Sequence, residues 1–179
     1  GLRVISSSMP GAFSVGISVL VGAGARYENS KNNGISHFLE HMLFRGTKKR
    51  PSEEHITGSI EGIGGIIGAW TDEEAVCYWV KVPREKTKVG FEIISDMVFN
   101  SKLDVIEIEK EKGAVIQEIN RRRDMPDGCS RELVYKTMWP GHPLGQSALG
   151  IKENIKNLSR ESIIEYMNKN YKKVNVGSD

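Results

Sequence analysis

The run GISHFLEHMLFRGT, residues 34–47, constrains this chain more than any other stretch. Ile35, Phe38, Leu39, Met42 and Leu43 recur at the helical period and predict an amphipathic helix with one face in the core. Gly46 is placed to end it. The pentapeptide HFLEH holds two of the chain's 4 histidines around a glutamate. Residues four apart on a helix are neighbours, with Cβ atoms about 5–6 Å apart. His37 and His41 therefore point the same way, on a different arc from the apolar stripe, with Glu40 near the same edge. A fold for this chain must bury one side of the helix and accommodate two imidazoles and a carboxylate on another.

The flanking segments mix strands and helices. LRVISS (2–7) and FSVGISVLV (13–21) read as strands around the turn signal Met9-Pro10-Gly11. In the second, Phe13, Val15, Ile17, Val19 and Val21 alternate, so one face is buried. Pro51-Ser52-Glu53-Glu54 opens a helix to about Ile63, broken by Gly64-Gly65. IIGAWT (66–71) and AVCYWVKV (75–82) read as strands around Asp72-Glu73-Glu74. Helices follow from about Arg84 to Asn100 and from Asp104 to about Arg123. Asp104 with Glu107 three residues on resembles a capping box. The last third, with Pro126, Gly128, Pro140, Gly141 and Pro143, reads as broken helix and loop. A helix over 159–170, starting at Ser159, and the start of a strand in KVNV close the chain. No strict βαβ beat is present, so the class is α+β, a mixed or antiparallel sheet packed against helices.

At 179 residues the chain reads as one domain, 1–179, able to bury a core. Its net charge of +2 implies neither a nucleic-acid nor a membrane partner. The cluster Arg121-Arg122-Arg123 reads as a solvated helix end. No apolar run reaches the roughly 18 residues of a membrane helix. Cys77 and Cys129 stand in no metal-type spacing, and Cys77 reads as a small buried strand residue. Such cysteine usage favours a reducing compartment, bacterial cytoplasm first and mitochondrial matrix second. The first residue is Gly1, so the lack of a leader says little about location.

H-x-x-E-H is the inverse of the familiar H-E-x-x-H zinc motif. A catalytic zinc needs a third protein ligand and an open position for water. The predicted helix 104–123 carries Glu111 and Glu118 two turns apart on one face. Ala114, Val115, Ile116 and Ile119 would bury that helix, and a carboxylate there needs a partner, which a zinc ion would be. Two readings stay open on these residues alone. In the bland one, the histidines lie on the polar face of a surface helix, and Glu118 is a solvated charge like Glu107 and Glu109. His55 reads as solvent-facing and His142 as a turn residue.

Taken together, HFLEH, the distant EKGAVIQEI, GARYENSKNNGISHFLEHMLFRGTKKRPSEE, GAWTDEEAVCYWVKVP and GHPLGQSALG resemble the N-terminal domain of the pitrilysin (insulinase) family of zinc peptidases. The resemblance covers essentially the whole chain and is greatest to bacterial processing proteases and the beta-type mitochondrial processing peptidase. It implies a LuxS/MPP-like metallohydrolase fold with Zn2+ held by His37, His41 and Glu118. It also implies Glu40 as general base and Glu111 as a supporting acid that orients a zinc ligand. An extended peptide would add as a strand along Ile66–Thr71, meeting Gly68, Ala69, Trp70 and Thr71. Relatives usually carry Asn-Ala there, so Gly68 removes one side-chain contact to the peptide. Trp70 reads either as a core aromatic or as a substrate-side residue.

The family further implies a second related half, as another domain or a homodimeric or heterodimeric subunit, supplying an Arg and a Tyr to the oxyanion. No R-x-Y here is placed to do so. The chain thus reads as a fragment of a two-half protein, expected to bind zinc and to cleave peptides poorly by itself. The competing expectation is a non-catalytic partner subunit that shares the fold.

Overall fold

The computed structural model describes residues 2–171. Ten main elements are found there: β1 (Ser14–Val21), α1 (Ile35–Phe44), α2 (Glu53–Glu61), β2 (Ile66–Thr71), β3 (Val76–Pro83), α3 (Thr87–Asn100), α4 (Val105–Asp124), α5 (Pro126–Met138), α6 (Lys152–Asn157) and α7 (Arg160–Asn170). The three strands form one antiparallel sheet in the order β1–β3–β2. Gly68 pairs with Trp79, Trp70 with Cys77 and Thr71 with Val76. The architecture is α+β, as expected. Among the described residues no helix is long and apolar enough to cross a membrane.

β3 is the central strand, and Val76, Tyr78, Val80 and Val82 point from it into the core. There they meet Phe38, Leu39, Met42 and Leu43 of α1 and Ile93, Ile94 and Met97 of α3. Phe38 is fully buried. Phe38→Ala should lower unfolding stability by about 3–5 kcal/mol, because it leaves a cavity beneath the histidine helix. A urea titration reads this directly; a loss below about 1 kcal/mol would show that α1 does not anchor the core.

Both ends of α1 are fixed by groups outside it. Glu28 accepts bonds from the Gly34 and Ser36 amides at 2.7 and 2.8 Å and from Asn33 Nδ2 at 2.9 Å. Its negative charge thus lies at the positive end of the helix. At the other end Gly46 turns the chain with φ +120°, and a Cβ there would meet Pro51 O at 2.6 Å. The following loop is pinned to α3, where Asp96 accepts from Thr47 Oγ1 at 2.6 Å and Arg50 Nη1 at 2.7 Å.

Several sequence expectations need correction. Residues 2–7 are not a strand: Val4 and Ile5 are exposed and pair with nothing among the described residues. A strand needs a neighbour for its backbone groups, and apolar content alone does not supply one. Phe13 lies outside β1 and is exposed. The third helix starts at Thr87, after a single 3-10 turn over 84–86. The stretch around Pro126 is not broken but forms α5, with proline in its first turn, where the missing N–H costs nothing. Ala114 is exposed, and the covered face of α4 is Ile108, Glu111, Val115 and Ile119. KVNV lies outside the described residues. Asp104 caps α4 by accepting from the Ile106 and Glu107 amides, but the Glu107 carboxylate pairs with Lys110 and the expected box is only half formed. Ser159 opens α7 as expected and forms a reciprocal box with Ser162.

Candidate metal centre

The polar arc of α1 is only partly open to solvent. His37 is 5% exposed, because α4 packs across this side of the helix. The separation of the histidine arc from a buried face therefore holds only in part: α1 is covered on two sides. The crossing of α1 and α4 brings the distant glutamates onto the histidines. His37 Nε2 and His41 Nε2 are 3.2 Å apart. Glu118 Oε2 is 3.5 Å from the first and 3.2 Å from the second.

Those spacings fit one ion. Three donors each about 2.0–2.1 Å from a tetrahedral zinc lie about 3.3 Å from one another. The donor set, two imidazole nitrogens and a carboxylate oxygen, suits a borderline divalent metal. Among the described residues this is the one group of three metal-type side chains brought together in this way.

Glu111, 3% exposed, accepts from His41 Nδ1 at 2.8 Å. A carboxylate only accepts, so Nδ1 carries the proton and a neutral His41 keeps its Nε2 lone pair for the shared point. The other oxygen of Glu111 is ion-paired to Arg45 Nε at 2.5 Å, and Arg45 also pairs with Glu53. Burial works against the Glu111 anion, but His41 and Arg45 hold its carboxyl below the ordinary range. Burial would also lower His41, yet Glu111 and Glu118 outweigh it and hold the imidazole up at about 9. His37 and His41 keep Glu118 well below the usual carboxylate range. The site is built to hold positive charge.

Glu40 is not one of the three converging donors. Its Oε2 accepts a hydrogen bond from Thr71 Oγ1, which ties the glutamate to the end of β2. β2 pairs with β3 on one side only and is a sheet edge among the described residues. Ala69 and Thr71 face the helices, while Gly68 and Trp70 lie on the opposite face of the sheet. Trp70 is 43% exposed, so it is not a core aromatic. A cavity of about 150 Å³ adjoins Glu118 and Thr71, walled by Arg122, Glu132, Tyr135 and Leu149 among others. His55 is exposed, and exposed His142 accepts from the Leu144 amide, as read. Cys77 is buried, and both it and Cys129 are free.

Sequence reasoning missed Glu28 and Arg45. Glu28 stands in a loop without periodicity, and its role shows only when the Gly34 and Ser36 amides are seen to point at it. Arg45 lies four residues after His41, so its position on the histidine arc was a usable signal.

The insulinase (peptidase family M16) model matches residues 3–152. An uncharacterized zinc protease of Bacillus subtilis is 38% identical over 171 residues, covering 96% of this chain and 42% of that protein. The mitochondrial-processing peptidase subunit beta of Dictyostelium discoideum is 37% identical over 171 residues, 96% of this chain and 36% of that one. The chain thus spans about two fifths of the length of these relatives. In three dimensions a protease from Helicobacter pylori superposes with a TM-score of 0.86 over 92% of this chain and 40% of its own, at 23% identity. Pitrilysin does so at 0.82 over 94% of this chain and 18% of its own, at 22% identity. The chain therefore belongs to the insulinase family of peptidases, M16.

Proposed function

We propose that this chain carries the catalytic metal centre of a zinc metalloendopeptidase, with His37, His41 and Glu118 as ligands. The carrying observation is the mutual spacing of 3.2, 3.2 and 3.5 Å between their donor atoms. A zinc ion held there would act as a Lewis acid and bring the pKa of water to about 7. The remaining work falls to protein groups. Glu40, aimed from α1 and steadied by Thr71, takes a proton from the attacking water and returns it to the leaving amide nitrogen. Glu111 fixes the tautomer and ring plane of His41.

The substrate is a peptide or unfolded segment, held in extended form by main-chain hydrogen bonds to the free edge of β2. This mode reads backbone before sequence and suits an endopeptidase. A second homologous domain or subunit completes the site by supplying oxyanion donors. The cytoplasm suits the two free cysteines. A partner subunit without chemistry is the competing reading, and the retained ligand set speaks against it.

Metal analysis of the purified protein tests the centre. One zinc per chain is expected, and none in His41→Ala. A stoichiometry unchanged by that substitution would refute the assignment. Glu111→Gln should keep the fold and, compared at pH 9 where proton competition at His41 is small, weaken zinc binding by about 10–100-fold, the usual effect of losing a carboxylate behind a ligating histidine. A chelator competition titration measures it, and unchanged affinity would remove Glu111 from the site.

A further inference from the structure

Gly68 is overlaid by another side chain. A Cβ built at Gly68 would lie 2.7 Å from Cζ2 and 2.9 Å from Cε2 of Trp79. Trp79 is the residue paired with Gly68 on β3, and its indole occupies the space that a side chain at position 68 would fill. The rest of this sheet face is apolar along β2: Ile66 is 54% and Trp70 43% exposed, one on each side of Gly68. Among the described residues no helix covers these three, and each is two residues from the next on one face.

From this arrangement we infer that Gly68 and Trp79 form a specificity subsite for a large apolar or aromatic side chain of the bound peptide. The inference rests on the edge-strand reading above and names what that edge selects. The peptide residue that pairs with Gly68 directs its side chain to this same face. Two strand spacings, about 9.6 Å, separate its backbone from that of Trp79. A tryptophan seated over an intervening glycine narrows that distance; a side chain at position 68 would meet the indole at 2.7 Å and push it aside. The absence of a side chain at position 68 therefore leaves the indole of Trp79 beside the edge-strand backbone. The pocket has Trp79 as its floor and Ile66 and Trp70 as its flanks.

Charge decides between an aromatic and a cationic guest. Indole faces also attract cations. Here Lys81, paired with Ile66, stands on the same face, and among the described residues no strand residue of that face is acidic. A lysine or arginine on the peptide would meet that charge without compensation. An aromatic guest gains offset or edge contacts with the indole beyond its buried area.

The test is direct binding of labelled peptides to the zinc-loaded Glu40→Gln protein, followed by fluorescence anisotropy. The peptides share one sequence, with Phe, Lys or Ala scanned through each position. One position should favour Phe over Ala by about tenfold, the scale of an aromatic pair, with Lys no better than Ala. Trp79→Ala should bring that preference below about twofold while leaving the affinity for the Ala peptide unchanged, since main-chain pairing persists. Gly68→Ser keeps the tryptophan but forces it off the strand, and should erase the same preference. Persistence of the Phe preference in both variants overturns the subsite. Equal binding of all peptides by the parent protein overturns it too, and leaves strand addition standing. Failure of every peptide to bind removes the edge-strand reading itself and the subsite with it.

Discussion

Replacing Glu40 with glutamine leaves zinc bound and lowers peptide hydrolysis by about 10²–10⁴-fold, the usual contribution of a positioned general base. The geometry separates the two readouts. The three donors that meet at the candidate metal point are His37 Nε2, His41 Nε2 and Glu118 Oε2. Glu40 turns instead toward Thr71 at the end of the edge strand. Glutamine has the same shape and still accepts the Thr71 hydroxyl through its amide oxygen, so the local packing survives. What it lacks is the capacity to take a proton. The contrasting substitution is Glu118→Gln, which removes the anionic donor and should abolish zinc binding and activity together. Steady-state kcat/KM of the peptidase assembled with its second half, alongside metal content, reads both. Activity that survives Glu40→Gln shows that another group is the base. Zinc lost in that variant shows that Glu40 is a ligand.

The sequence carried this site unevenly, and the reasons are physical. α1 was legible because Ile35, Phe38, Leu39, Met42 and Leu43 repeat at the period of the element they build. The pairing of His37 with His41 followed from the same period. Nothing local says that α4 crosses α1, so Glu118 and Glu111 reached the histidines only through the family pattern. The contacts then give that pattern a cause: Ile108, Val115 and Ile119 bury one face of α4, and Glu111 goes under with them. The burial of His37 was not legible, since α1 alone shows one apolar stripe and the second cover comes from elsewhere in the chain. Glu28 and Asp96 escaped for a related reason. They fix the ends of α1 across loops, where no period marks a residue. The over-read strand at 2–7 and the under-read α5 are opposite faults. Apolar residues there lacked a partner strand, and Pro126 opens a helix that a proline was expected to break.

Acidification from pH 9 to pH 6 should weaken zinc binding by about 10³-fold, roughly a factor of ten per pH unit, through one competing proton. The proton in question is held on His41, whose basicity Glu111 and Glu118 lift from 6.5 to about 9 against the opposing effect of burial. Zinc needs the Nε2 lone pair that this proton occupies. Glu118 contributes little to the slope, because its carboxyl is held well below the range and stays ionised throughout. The stability of the metal-free protein runs the other way. A histidine raised on folding adds stability that is complete below pH 6.5 and is lost as the pH rises through about 9. The gap in melting temperature between zinc-loaded and metal-free protein should therefore widen from pH 6 to pH 9. In Glu111→Gln, His41 loses the larger of its two carboxylate supports, so both transitions should move to lower pH. Calorimetry at pH 7 in buffers of different ionisation enthalpy should register at least one proton released per zinc, the one displaced from His41. A zinc affinity that stays flat between pH 6 and 9, with no proton released, would mean that His41 does not present its Nε2 to the metal.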